Sequence, residues 1–110
     1  MKVFIATPTI ANTMQVETAL SIVNMVNELR NGGHGADWFN YNGTFVTRAR
    51  HILASQFLAC TDFTHLLFLG SDNGVPNGAI PRLLQTGQEV IGIACPLRHF
   101  EAARFAEAAR

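Results

Sequence analysis

The sequence predicts an α/β fold, a three-layer sandwich around a mainly parallel sheet of about four strands. Short apolar runs of strand length alternate with longer stretches whose apolar residues recur at helical spacing, and that order implies βαβ units with right-handed crossovers. One run, His65-Leu66-Leu67-Phe68-Leu69, is unbroken by a charged residue and reads as a central strand covered on both faces. The chain has 110 residues, of which 48% are hydrophobic and 15% charged, enough for one buried core and too few for two.

Val3-Phe4-Ile5-Ala6 is the first strand, leaving the sheet through a loop at Thr7-Pro8-Thr9. Asn12 or Thr13 caps the first helix, with Glu17 near its first turn. Met14, Val16, Ala19, Leu20, Val23, Val26 and Leu29 follow at helical spacing to Arg30, with Met14 and Met25 in the core stripe. Asn31-Gly32-Gly33 supplies the positive-φ stop. Ala36-Asp37-Trp38-Phe39-Asn40-Tyr41 is the second strand, and Thr44 caps a second helix that runs to about Cys60. The run ending at Leu69 is the third strand. A short helix follows over 79–86, with Pro81 in its first turn. Glu89-Val90-Ile91-Gly92-Ile93-Ala94-Cys95 is the fourth strand, stopped by Pro96. The division is an α/β domain over 1–96 and an Ala-rich helical tail over 97–110.

Composition excludes some function classes. Net charge is zero and Lys2 is the only lysine, so there is no basic footprint for sequence-independent nucleic-acid binding. No stretch approaches the roughly 20 apolar residues of a membrane helix. The start of the chain has no secretory pattern, and Cys60 and Cys95 stand far apart with no metal-site spacing. They read as buried free thiols in a cytoplasmic protein.

In open α/β sheets ligands bind outside the carboxyl ends of the strands. Asp72 is the first carboxylate at such an end, set between Gly70 and Gly74. Ile5-Ala6-Thr7-Pro8-Thr9, Thr47-Arg48-Ala49-Arg50-His51 and Leu66-Leu67-Phe68-Leu69-Gly70-Ser71-Asp72 resemble, in order and spacing, the nucleotide-binding half of a GT-A glycosyltransferase of the family 2-like type. The resemblance covers roughly residues 2 to 98. It implies a Rossmann-like sheet and transfer of a sugar from a nucleotide-diphosphate donor. In that family an Asp-x-Asp motif at the sheet edge shares a Mn²⁺ or Mg²⁺ ion with the donor diphosphate, a hard cation that takes oxygen ligands and offsets the leaving-group charge.

The chain departs from the pattern at Gly70, which stands where the first motif carboxylate belongs, while Asp72 matches the second. Ser71 or Asn73 adds a neutral oxygen at best, so metal binding without nucleotide is expected to be weak. The family's acceptor site and catalytic base lie downstream of a strand like Glu89–Cys95. Residues 96–110 contain no Asp, so an oligomer or a partner chain is expected to supply both.

By the resemblance, Thr7, Pro8 and Thr9 contact the base and ribose; the competing reading is a plain strand-to-helix turn. Arg48 and Arg50 lie roughly 200° apart on a helix, so only one faces the crevice. The resemblance favours Arg50, whose guanidinium would fork onto diphosphate oxygens, against a solvated helix arginine. His51 and His65 read as surface or interface histidines. His99 falls near the edge carrying Asp72 and would complete a metal shell, a role weighed against a lone histidine. Trp38 either stacks on a base or packs in the core, with Asp37 beside it, and Asp62 ends its helix region. The expected function is a glycosyltransferase using a nucleotide-diphosphate sugar, a divalent metal, Asp72 and Arg50. The alternative is a non-catalytic nucleotide-binding module or a structural subunit of an oligomer.

Overall fold

The computed structural model describes residues 1–72 and 74–92. It is an α/β fold in the order β1 (Lys2–Thr9), α1 (Val16–Asn31), β2 (Gly35–Asn42), α2 (Val46–Ala59), β3 (His65–Phe68) and α3 (Ala79–Gln85). The described strands form one sheet in the order β2-β1-β3, and both pairings are parallel. Among the described residues no helix is long and apolar enough to cross a membrane.

Two apolar clusters meet at β1, whose residues from Val3 to Ala6 are at most 1% exposed. Successive strand residues point to opposite faces. Val3 and Ile5 accordingly pack with Ile22, Met25 and Leu29 of α1 and with Ile80 of α3. Phe4 and Ala6 pack with Leu53 and Phe57 of α2. The Phe4 ring stacks on Phe39 at 4.0 Å between centroids and meets Phe57 and Phe63 edge-on, the T-shaped geometry that aromatic quadrupoles favour.

The central strand is therefore β1, and the expectation for the third strand is corrected. His65 and Phe68 are exposed and Leu66 and Leu67 half-buried, because β3 has a strand neighbour on one side only among the described residues. Glu89, Val90, Ile91 and Gly92 are not in a strand, and Val90 is 92% exposed; the rest of the expected fourth strand lies outside the described residues, as does the tail over 97–110.

Thr7-Pro8-Thr9 is strand rather than loop. Backbone bonds of β1 alternate sides: Lys2 and Ala6 accept from Thr64 and Leu69 on the β3 side, and Thr9 accepts from Gly43 on the β2 side. Pro8 follows Ala6 in that alternation, so its missing N–H faces the β3 side, where the ladder has already ended at Ala6↔Phe68. Pairing with β2 continues to Thr9↔Asn42.

Helix α1 also starts later than capping residues suggest. Ala11 and Asn12 both have positive φ, 57° and 53°, and form a tight turn closed by Thr13 N–H donating to Ile10 O. The Thr13 hydroxyl bonds the same carbonyl, so the N-cap falls to Gln15, with no side-chain bond. The α2 cap is likewise Phe45 rather than Thr44. At the far end of α1, Gly33 has the expected positive φ of 85°. Cys60 is exposed, correcting its expected burial, because it sits at the α2 C-cap beyond the packed face; Cys95 lies outside the described residues.

Candidate functional site

A cleft of about 390 Å³ opens at the carboxyl ends of β1 and β3. Pro8, Thr9 and Ile10 come to it from β1 and the turn beyond. Phe68, Leu69, Gly70, Ser71 and Asp72 come from the end of β3, and Val46 and Arg50 from the first turns of α2. The location follows from the strand order. The chain leaves β1 for β2 on one side and then crosses back to β3 on the other, so the connections diverge between β1 and β3, the switch point where α/β sheets hold ligands.

Five of the residues singled out in the sequence, Pro8, Thr9, Arg50, Ser71 and Asp72, line this one cleft. Thr7 does not: it is fully buried, and its hydroxyl accepts a 3.0 Å hydrogen bond from the Trp38 indole N–H. Trp38 is 39% exposed, neither a full core residue nor a cleft residue. Asp37 pairs with Arg30 at 3.3 Å rather than reaching the cleft. Arg48 is exposed and points elsewhere, as the helical angle requires. His51 and His65 are exposed, the latter 2.7 Å from the Thr64 hydroxyl, and Asp62 pairs with Lys2 at 3.8 Å. His99 and Asn73 lie outside the described residues.

The electrostatic character of the cleft comes from three sources. The N-terminus of α2 lies at the cleft, where Val46 is in the lining, and its first turn, whose backbone N–H groups have no intrahelical partner, carries no acidic residue. Arg50 adds a full positive charge with a planar five-donor fork. Asp72 is the only carboxylate among the lining residues, and Gly70 contributes no side-chain ligand. The donor set fits a metal held jointly by Asp72 and ligand oxygens, because Mg²⁺-type sites commonly use one or two carboxylates plus substrate phosphates. It does not fit a cation caged by protein alone: no group of three or more His, Cys, Asp or Glu is found among the described residues.

Sequence reasoning missed what holds the Asp72 turn. The described residues of segment 71–78 lie in no helix or strand, and α1 grips them at three points. The Ser71 carbonyl accepts from the Gln15 N–H at 2.9 Å and the Thr18 hydroxyl at 3.1 Å. Ser21 Oγ accepts from the Val75 N–H at 2.8 Å and donates to the Val75 carbonyl at 3.4 Å. Both Glu28 carboxylate oxygens accept from the Gly78 N–H, at 2.9 and 3.2 Å. The signal in the sequence is a polar triplet, Thr18, Ser21 and Glu28, placed at helical spacing on a face that otherwise reads as core.

A second concavity of about 530 Å³ lies along α3, lined by Ala79, Arg82, Leu83, Gln85 and Thr86. It has one charged group and no acid, so the chemistry concentrates at the β1–β3 edge. Comparison of the chain with protein-family models, with curated proteins and with solved structures yields no match in any of the three.

Proposed function

We propose that the β1–β3 cleft binds the diphosphate of a nucleotide-diphosphate sugar together with a divalent cation, and that the protein is a glycosyltransferase-like member of the GT-A type with a Rossmann-like, three-layer architecture. The observation that carries this reading is the convergence of Arg50, the acid-free N-terminus of α2 and Asp72 on one cleft. These groups come from two separate parts of the chain, the start of α2 and the segment after β3, and suit the two halves of a metal–diphosphate ligand.

In this reading Arg50 forks onto phosphate oxygens and the α2 N–H groups add partial positive charge beside it. Asp72 holds its side of the cation, with the Ser71 hydroxyl as a neutral neighbour. Bound Mn²⁺ or Mg²⁺ would stabilise the charge of the departing nucleotide diphosphate. Pro8 and Thr9 form the wall against the nucleoside. The cleft lining offers no second carboxylate to serve as a base, so acceptor activation falls to another copy or a partner chain.

That same shortage favours a second reading, a non-catalytic module that keeps the nucleotide and does not transfer sugar. Calorimetric titration of uridine and guanosine diphosphates and their sugars, with and without Mn²⁺, separates the readings. Mn²⁺-dependent binding that disappears in Asp72→Ala supports the metal-bridged donor site. Binding indifferent to Mn²⁺ supports the module, and no binding of any of these ligands refutes both. Gly70→Asp, which restores a second carboxylate at the edge, is expected to raise Mn²⁺ affinity.

A further inference from the structure

We propose that Thr18 is a positioning residue for the cleft, its hydroxyl fixing the Ser71–Asp72 turn from behind so that Asp72 stands at the mouth in one orientation. The proposal rests on the nucleotide–metal reading of the cleft.

Thr18 is fully buried on the inward face of α1, where neighbours such as Ile22 and Met25 are apolar. A hydroxyl at such a site is costly unless it is bonded. Within a helix, threonine and serine commonly satisfy themselves by bonding back to the carbonyl four residues earlier, but Thr18 is the third residue of α1 and the residue four back, Met14, lies outside the helix. Thr18 instead reaches 53 residues along the chain to the Ser71 carbonyl at 3.1 Å. Ser21, one turn on, is diverted in the same way to Val75, 54 residues away. Two hydroxyls on one helix face are thus both committed to the loop that carries the cleft's only lining carboxylate.

The two anchors have separable effects. Thr18 and the Gln15 amide clamp the peptide group immediately before Asp72, whereas Ser21 holds the chain three residues beyond it. Rotation of the Ser71 peptide would swing the Asp72 carboxylate directly. Movement at Val75 acts on it only through the intervening chain. Thr18 therefore controls the carboxylate, and Ser21 controls mainly the stability of the loop.

The test compares Thr18→Val, which keeps shape and loses the hydroxyl, with Thr18→Ser, which keeps the hydroxyl, and with Ser21→Ala. Uridine diphosphate and inorganic pyrophosphate are titrated in the presence of Mn²⁺, and thermal denaturation is followed alongside. Thr18→Val is expected to bind both probes ~5-fold more weakly, the loss equivalent to one ordinary hydrogen bond. Thr18→Ser restores wild-type affinity, and Ser21→Ala lowers the melting temperature without changing affinity. A Thr18→Val protein that melts lower but binds normally overturns the proposal, as does an equal loss of affinity in Ser21→Ala; in both cases the nucleotide reading stands. A wild-type protein that binds neither probe overturns that reading, and the positioning role with it.

Discussion

Truncation of Leu53 to alanine tests whether the α2 side of the sheet is packed as described. Leu53 is fully buried among Phe4, Phe39, Phe57, Phe63 and Leu66, and it lies three residues past Arg50 on the helix that lines the cleft. Leu→Ala changes in cores cost ~2–5 kcal/mol, and the cost rises with the cavity that remains. Here the neighbouring rings hold one another at 4.0 to 5.8 Å in stacked and edge-on contacts, so they have little freedom to collapse inward. A loss of ~3–4 kcal/mol, away from the low end of that range, is expected. A domain of this length has a total stability of ~6–16 kcal/mol, so the variant folds at room temperature. With an unfolding entropy of ~2 cal/mol/K per residue, its melting temperature falls by ~15 °C. Chemical denaturation followed by circular dichroism measures the loss, with Val23→Ala, at a 57% exposed α1 position, as the near-neutral control. A loss below ~1 kcal/mol at Leu53 would show that α2 does not seal this face.

Further outcomes follow from other elements. Ala11 sits in the left-handed region at a cost of ~1–2 kcal/mol, and glycine forfeits ~0.5–1 kcal/mol of that in chain entropy. Ala11→Gly is therefore expected to raise the denaturation midpoint slightly; a lower midpoint would mean the turn is not strained. Arg50→Ala should weaken binding of uridine diphosphate ~10-fold or more, the scale of a charge-assisted contact, while Arg48→Ala leaves calorimetric affinity intact. Equal losses would point to diffuse attraction instead. Glu28→Ala removes both acceptors of the Gly78 N–H and is expected to cost ~1–2 kcal/mol in urea denaturation, against under ~0.5 kcal/mol for the exposed Lys2–Asp62 pair in Asp62→Ala.

Element types from β1 to α3 are legible in the sequence because each carries its own period and its own stop. The α1 stripe ends in Asn31-Gly32-Gly33, and β2 begins at Gly35 and is followed by Gly43. Strand order is less legible, since Val3–Ala6 and Leu66–Leu69 are both apolar runs and local composition does not say which lies in the middle. Tertiary pairing decided for β1, and Phe68 was left 41% exposed. The α1 start is misleading for a related reason. Thr13 has the chemistry of a cap, but its hydroxyl is used in the Ile10 turn. For the cleft, Asp72, Ser71, Arg50 and Pro8–Thr9 can be picked out one at a time from strand ends and helix faces. The support from Thr18, Ser21 and Glu28 shows in the sequence only as polar residues on one helix face; what they hold does not, because their partners lie 50 or more residues away.

Pro8 also shapes the mouth of the cleft it lines. Two parallel strands zip together as far as donors and acceptors alternate without a gap. At Pro8 the zipper meets a tooth that is missing by covalent structure, on the side facing β3 and two residues after the last β1–β3 pair. The mouth between the two strands is thus open in the fold, and no β1–β3 backbone hydrogen bond would have to break for a ligand to enter as proposed. A site opened in this way is preorganised, so the free energy of contact is spent on the ligand rather than on prising the sheet apart.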